Sequence, residues 1–170
     1  MRCLFFVLII GILPNKLSGQ KMISREGGHC FSLSVPDYMV KTYKLNNVAS
    51  LQYQNIRREA YVIVIEDPKE QLDEIGMHFT GPEDFISGFL KEYKGDAAER
   101  SVSSISTFDA RSNRLAQATI NWTEDENQFH MLVTAVETRT HYYKILCWSV
   151  NDHWEELKDD FEKIASSLKD

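Results

Sequence analysis

The sequence predicts an α/β fold of the α+β kind, an α-β-α sandwich with a central, mostly antiparallel sheet of about six to seven strands. Short segments alternate apolar and polar residues with the period of β-strands. Two of these strands are apolar on both faces. Two other segments repeat apolar residues at helical spacing. A sheet that is apolar on both faces needs helices on both sides, which predicts the sandwich.

Three strands are predicted in the first part of the domain, over 30–35, 48–54 and 60–66. The third has Val62 and Val64 on one face and further apolar side chains on the other. That pattern is typical of a central strand covered on both sides.

Two helices are predicted next. One is short, over 69–75, and the second begins at Gly81-Pro82 and places Phe85, Phe89 and Tyr93 on one face. Four strands follow, joined by short turns that favour an antiparallel meander, over 101–108, 115–123, 129–138 and 142–149. The chain closes with an amphipathic helix over 151–168, whose apolar residues recur in steps of three and four, namely Trp154, Leu157, Phe161, Ile164 and Leu168.

Residues 1–19 have the layout of a cleaved secretory signal peptide. Their apolar run, 3–13, is too short for a membrane span, which needs about 20 apolar residues. Lipid attachment would require a cysteine where Gln20 stands, so we expect an exported product, periplasmic or secreted, that is soluble and not a lipoprotein. A flexible leader over 20–29 and one domain over 30–170 are expected to follow.

Cleavage of the signal removes Arg2 and Lys16 and no acid, which takes the net charge from −6 to −8. The largest basic cluster in the sequence is Arg57-Arg58. Nucleic acids and anionic membranes both require clusters of lysine and arginine. We therefore expect neither as a partner, and no integral membrane segment after cleavage.

Two cysteines remain in the mature chain, Cys30 and Cys147. Export would allow a disulfide between them, whereas their positions in strands are equally typical of buried thiols. If the chain were a hydrolase, the best available nucleophile would be Cys147, with His130 or His141 as its general base. The histidines are dispersed and no metal-binding spacing is present, so we expect no cofactor and no metal.

Three segments resemble the PsbP-like group: Phe31-Ser32-Leu33-Ser34-Val35-Pro36, the strand from Tyr142 to Ser149, and the helix end from Phe161 to Leu168. The group includes the extrinsic PsbP subunit of photosystem II, a nuclear import regulator that binds the GTPase Ran, and bacterial envelope proteins of the DcrB type. The resemblance covers 30–168 and implies an exported bacterial member. It also implies an α-β-α sandwich that serves as an accessory or interaction domain, without a catalytic motif.

Most aromatic residues occupy predicted core positions. Tyr38, Met39 and Tyr43 fall outside them and are predicted to form a binding patch. The first functional hypothesis is a non-catalytic exported domain that binds a protein partner in the cell envelope. The alternative is a ligand-binding module whose aromatic pocket, near Tyr38 and Tyr43, holds a small apolar or lipid-like molecule.

Overall fold

The computed structural model describes residues 20–28 and 31–170. Ten strands and three helices form in this part of the chain, in the order β1 (Met22–Gly27), β2 (Phe31–Pro36), β3 (Val40–Lys41), β4 (Leu51–Asn55), β5 (Ala60–Pro68), α1 (Lys69–Glu74), α2 (Pro82–Glu92), β6 (Ala98–Val102), β7 (Ser106–Ala110), β8 (Asn113–Glu124), β9 (Asn127–Glu137), β10 (His141–Val150) and α3 (Asn151–Ala165). The predicted class, a mixed α/β fold with a large antiparallel sheet and a C-terminal helix, is confirmed.

Eight strands form the main sheet in the order β3-β4-β5-β10-β9-β8-β6, and β7 also pairs with β8. Every one of these pairings is antiparallel. β8, β9 and β10 follow one another through short turns, as the sequence predicts for a meander. β1 and β2 form a separate two-stranded hairpin.

Both faces of the sheet are covered. The α3 face carries α3 and the β1–β2 hairpin, whose Leu33 and Val35 pack with Phe161 and with Val62 of β5. α1 and α2 cover the opposite face, where Ile63 of the same strand joins the second apolar cluster. The two-sided apolar pattern of this strand therefore reflects its burial between two layers.

The closing helix ends at Ala165, three residues earlier than the periodicity predicts. Ser167 and Lys169 leave the helix to bind β2. The Ser34 N–H donates to Ser167 Oγ over 2.8 Å, and Ser32 exchanges two backbone hydrogen bonds with Lys169. Leu168 remains buried because this segment lies against the hairpin.

The flexible leader predicted over 20–29 is corrected by the structure in its described part. Residues 22–27 form β1, in register with β2 from the Met22 and Pro36 pair to the Gly27 and Phe31 pair. Its side chains are only half-buried or exposed, so the strand is stabilised mainly by backbone pairing, which leaves little hydrophobic signal in the sequence.

The strand predicted over 101–108 is also corrected, because it is divided into β6 and β7. Both parts pair with the long strand β8, and a register irregularity lies between Ala98 and Ser101.

In the described part of the chain, no helix has the length and apolar character needed to cross a membrane. The predicted signal, 1–19, lies outside the described residues.

Candidate partner-binding edge

One edge of the main sheet ends in β3, which has only two residues, Val40 and Lys41. They pair with Gln54 and Tyr53 of β4, and β3 pairs with no other strand among the described residues. Both side chains of β3 are exposed. We use the name basic edge for residues 38–58, which comprise β3, the loop that follows it, β4 and the turn after β4.

Tyr38 anchors the basic edge to the body of the domain. Its hydroxyl donates a hydrogen bond to Oδ2 of Asp160 in α3 over 3.0 Å, and its carbonyl accepts one from Asn55 Nδ2 over 2.7 Å. Burial, followed by the negative charge of Asp160, raises the pKa of Tyr38, so its hydroxyl remains a donor. The guanidinium of Arg58 lies over its ring, 4.3 Å from the centroid.

The three residues of the predicted binding patch have different surroundings. Met39 is only 2% exposed and belongs to the core on the α3 face, which removes it from any surface patch. Tyr43 is 74% exposed, and the Lys41 ammonium lies 5.2 Å from the centre of its ring. A patch therefore stays a prediction only for Tyr38 and Tyr43.

The charge of the basic edge differs from that of the rest of the chain. Residues 38–58 contain Lys41, Lys44, Arg57 and Arg58, all exposed, and no aspartate or glutamate. The whole sequence has 25 acids against 19 lysines and arginines. The basic cluster recognised in the sequence was only Arg57-Arg58. The absence of acids from 38–58 is the sequence signal that indicates the whole basic edge.

The same edge exposes large apolar side chains. Val40 is 61% exposed, and the others lie in the loop before β4 and the turn after it, namely Tyr43, Val48 at 72% and Ile56 at 68%. These are four of the eight large apolar side chains that are exposed among the described residues. Exposed apolar side chains that share one edge of a sheet favour an interaction surface.

A single buried side chain fixes the loop between β3 and β4. Gln52 Oε1 accepts hydrogen bonds from the N–H groups of Leu45 and Asn46 over 2.9 and 3.1 Å, and its Nε2 donates to the Asn46 carbonyl over 2.6 Å. Asn46 Oδ1 in turn accepts from the Val48 N–H over 2.8 Å. The loop therefore presents its exposed side chains in one conformation, which lowers the entropy cost of binding.

Cys147 lies in the centre of β10, between Val62 of β5 and Leu132 of β9, and its side chain is completely buried. Burial raises the pKa of this thiol, so neither the thiolate nor solvent access that a nucleophile needs is present. Cys30, its predicted disulfide partner, lies outside the described residues, and that pairing stays a prediction.

Both histidines considered as a base for Cys147 have other hydrogen-bonding partners. The two ring nitrogens of His130 lie 2.7 Å from Asn121 Oδ1 and 3.0 Å from Asn151 Oδ1. His141 Nδ1 lies 2.9 Å from Thr140 Oγ1. Their hydrogen-bonding partners thus lie in β8, in the connection between β9 and β10, and at the start of α3.

A second polar cluster surrounds Glu137 at the end of β9. Lys69 Nζ lies 2.9 Å from its Oε1, the Tyr142 hydroxyl donates to the same oxygen over 3.2 Å, and Arg114 Nε donates to Oε2 over 2.8 Å. Burial opposes ionisation of Glu137, but the hydrogen bonds and charges of Lys69 and Arg114 outweigh it and lower its pKa. This fully partnered cluster joins α1 to the sheet.

An open cleft of about 790 Å³ lies beside this cluster, between the start of α2 and β7, and Arg114 and Phe108 line it. Tyr38 and Tyr43 are not among its lining residues. Within the residues that the structure describes, no three or more histidine, cysteine or acidic side chains come together in a way that could hold a metal ion.

No protein-family model matches the sequence, and no curated protein matches it either. Solved structures do match. A solution structure of cyanobacterial PsbP from Synechocystis sp. PCC 6803 is 15% identical and has a TM-score of 0.59, over 82% of this chain and 85% of that chain. LpqN from Mycobacterium tuberculosis, described as involved in cell envelope biogenesis, is 13% identical with a TM-score of 0.57, over 89% and 91% of the two chains. At such identities the likeness shows the fold, and the predicted resemblance to the PsbP-like group is confirmed at that level.

Proposed function

We propose that the chain is an exported, non-catalytic accessory domain that binds a protein partner of the cell envelope through its basic edge. The observation that carries this proposal is the coincidence of exposed cations and exposed large apolar side chains on one rigid sheet edge. The signal-like pattern of 1–19 supports export. The similarity in fold to LpqN, described as involved in envelope biogenesis, is consistent with that compartment.

Crosslinking inside the host tests the proposal. A photoreactive phenylalanine analogue replaces Tyr43, whose side chain is exposed on the basic edge, and irradiated cells are fractionated. The matched control carries the same analogue at Lys91, an exposed position on α2. We expect one discrete adduct in the envelope fraction from position 43 and none from position 91. Equal labelling from the two positions, or no adduct from position 43, contradicts the proposal.

The ligand-binding alternative stays a prediction without a specific observation in its favour. Tyr38 is engaged by Asp160 and Arg58, and Tyr43 projects into solvent. The cleft of about 790 Å³ lies between α2 and β7. A native mass spectrum of protein purified from its own host decides the matter, because a co-purified small molecule would support the alternative over partner binding.

A further inference from the structure

We infer that the segment bound at the basic edge is acidic and extended, with apolar residues at alternate positions, and that it adds as a strand beside β3. This inference rests on the proposed function and specifies the chemistry of the partner. Three features of the edge carry it: the open backbone of β3, the distribution of charge, and the side chains that β3 presents on each face.

The backbone of β3 has an open side. The Thr42 N–H donates to the Gln52 carbonyl of β4 over 3.1 Å. Backbone groups of successive strand residues point alternately to either side, so the N–H and C=O groups of Lys41 point away from β4. Such groups bind an added strand through main-chain hydrogen bonds.

The two faces of the edge are complementary to different side chains on an added strand. Lys41 lies on the face of Tyr53, where α3 lies, and its ammonium lies 5.2 Å from the centre of the Tyr43 ring. Val40 projects to the opposite face. Directly opposed side chains of neighbouring strands contact each other, so acidic side chains fit beside Lys41 and apolar ones beside Val40.

The flanking segments extend the same chemistry beyond β3. Lys44 and Val48 lie in the loop on one side, and Ile56 with Arg57 lies in the turn on the other. Because no carboxylate is present in 38–58, an acidic segment there meets like charge only from the two acids that flank these residues in the sequence. The whole sequence carries a net charge of −6, so the positive charge of the basic edge favours approach of an acidic partner from this side.

Other occupants fit less well. In a second copy of this chain, pairing β3 with β3 would bring the same cations together. Phosphate groups of a nucleic acid accept hydrogen bonds from backbone N–H groups, but they donate none to the outward carbonyl of Lys41, which an added strand would pair. A short edge strand with a lysine also protects against aggregation, but protection does not account for the exposed Val40, Val48 and Ile56.

The test measures binding of short labelled peptides to the full mature protein purified from its host, by fluorescence anisotropy. The first peptide alternates glutamate with valine, the second alternates lysine with valine, and the third is the glutamate peptide with alternate backbone nitrogens methylated. We expect only the first to bind well. Methylation removes half of the strand hydrogen bonds and should weaken binding by about tenfold or more, equivalent to about 1.4 kcal/mol.

Charge-reversal variants locate the binding site. Lys41→Glu and Arg57→Glu should each weaken binding of the glutamate peptide by about tenfold, equivalent to about 1.4 kcal/mol. The control Lys91→Glu makes the same charge change at an exposed position on α2 and should leave binding unchanged. Circular dichroism and the unfolding midpoint verify that each variant is folded, so that lost binding is not lost structure.

Several outcomes would overturn the inference: no binding of the glutamate peptide, equal binding of the lysine or methylated peptide, or insensitivity to Lys41→Glu. Preferential binding of a single-stranded oligonucleotide or of phosphatidylserine vesicles, lost in Lys41→Glu, would also overturn it. If position 43 crosslinks to a partner in the host while the glutamate peptide fails to bind, the inference falls and the proposed function stands. If no partner is crosslinked, the proposed function itself falls.

Discussion

The hydroxyl of Tyr38 and the carboxylate of Asp160 lie 3.0 Å apart, although 122 positions separate them in the chain. This hydrogen bond joins the basic edge to α3. Asp160 is buried, and its other oxygen lies 3.4 Å from Lys163 Nζ. Because a buried carboxylate needs its donors, this contact fixes the start of the edge relative to the core.

Replacing Tyr38 by phenylalanine should destabilise the protein. The change removes one donor to a buried carboxylate, and hydrogen bonds to charged groups contribute about 1.5–3 kcal/mol. Because Tyr38 is only partly buried, we expect a loss of about 1–2 kcal/mol in the free energy of unfolding, measured by urea denaturation near pH 7. Tyr43→Phe, which alters an exposed tyrosine on the same edge, should change it by less than about 0.5 kcal/mol. Equal effects of the two variants would contradict the structural role of Tyr38.

Alkaline pH should weaken the contacts of Tyr142. Burial, followed by the negative charge of Glu137, raises the pKa of Tyr142 to about 12. An unfolded tyrosine ionises near pH 10, so the unfolded chain loses this proton first as pH rises. The stabilising contribution is complete below about pH 10 and is lost as pH rises through about 12.

The measurement compares urea midpoints at about pH 9 and about pH 11. The midpoint of the native protein should fall more between these pH values than that of Tyr142→Phe. Tyr43→Phe serves as the control, since its ring is exposed, and should retain the full pH dependence. An identical pH dependence in the native protein and Tyr142→Phe would show that Tyr142 ionisation does not affect unfolding.

Gln52→Leu should release the loop that the basic edge presents. The variant leaves the N–H groups of Leu45 and Asn46 without their acceptor and costs about 1–3 kcal/mol. Hydrogen exchange at these two amides should become faster while exchange in β9 and β10 is unchanged. Gln54→Leu, two residues further along the same strand, is the matched control and should leave both amides protected. Unchanged exchange in Gln52→Leu would show that another contact holds the loop.

Cys147 should be unreactive in the native protein. Iodoacetamide should modify it only after unfolding, because its thiol is buried and protonated. Labelling after unfolding without a reductant also tests the predicted disulfide, since a bond to Cys30 would block both cysteines. Rapid labelling of native Cys147 would contradict its burial.

The intact mass of protein from its host tests the predicted start at Gln20 and the absence of lipid.

The sequence was informative where local periodicity and burial coincide. Phe161 and Ile164 recur on one face of α3 and are completely buried, so the helix could be predicted from the pattern alone. Val62 and Ile63 point into opposite apolar clusters, which is why β5 was identifiable as a central strand. In both cases, the side chains themselves carry the signal.

Features that depend on long-range pairing were not predictable in this way. β1 is stabilised by its register with β2, and its residues Ser24 and Arg25 carry no strand-like hydrophobic pattern. Met39 lies in a short connection between Tyr38 and Val40, where no periodicity shows which of the three side chains is buried. Pairing of β3 with β4 brings Lys41 and Arg57 to one sheet edge, and the sequence signal for this edge is the absence of acids from 38–58, which apolar periodicity does not report.

The backbone pair between Ser32 and Lys169 has a consequence for when the domain can fold. β2 is completed only by residues near the far end of the chain, so a growing polypeptide lacks the partner that locks the hairpin onto α3. Until residues 167–169 leave the ribosome, the chain cannot form the backbone hydrogen bonds between β2 and Lys169. For the exported precursor that we propose, this delay is an advantage, because a chain that folds early cannot pass through a narrow translocation channel.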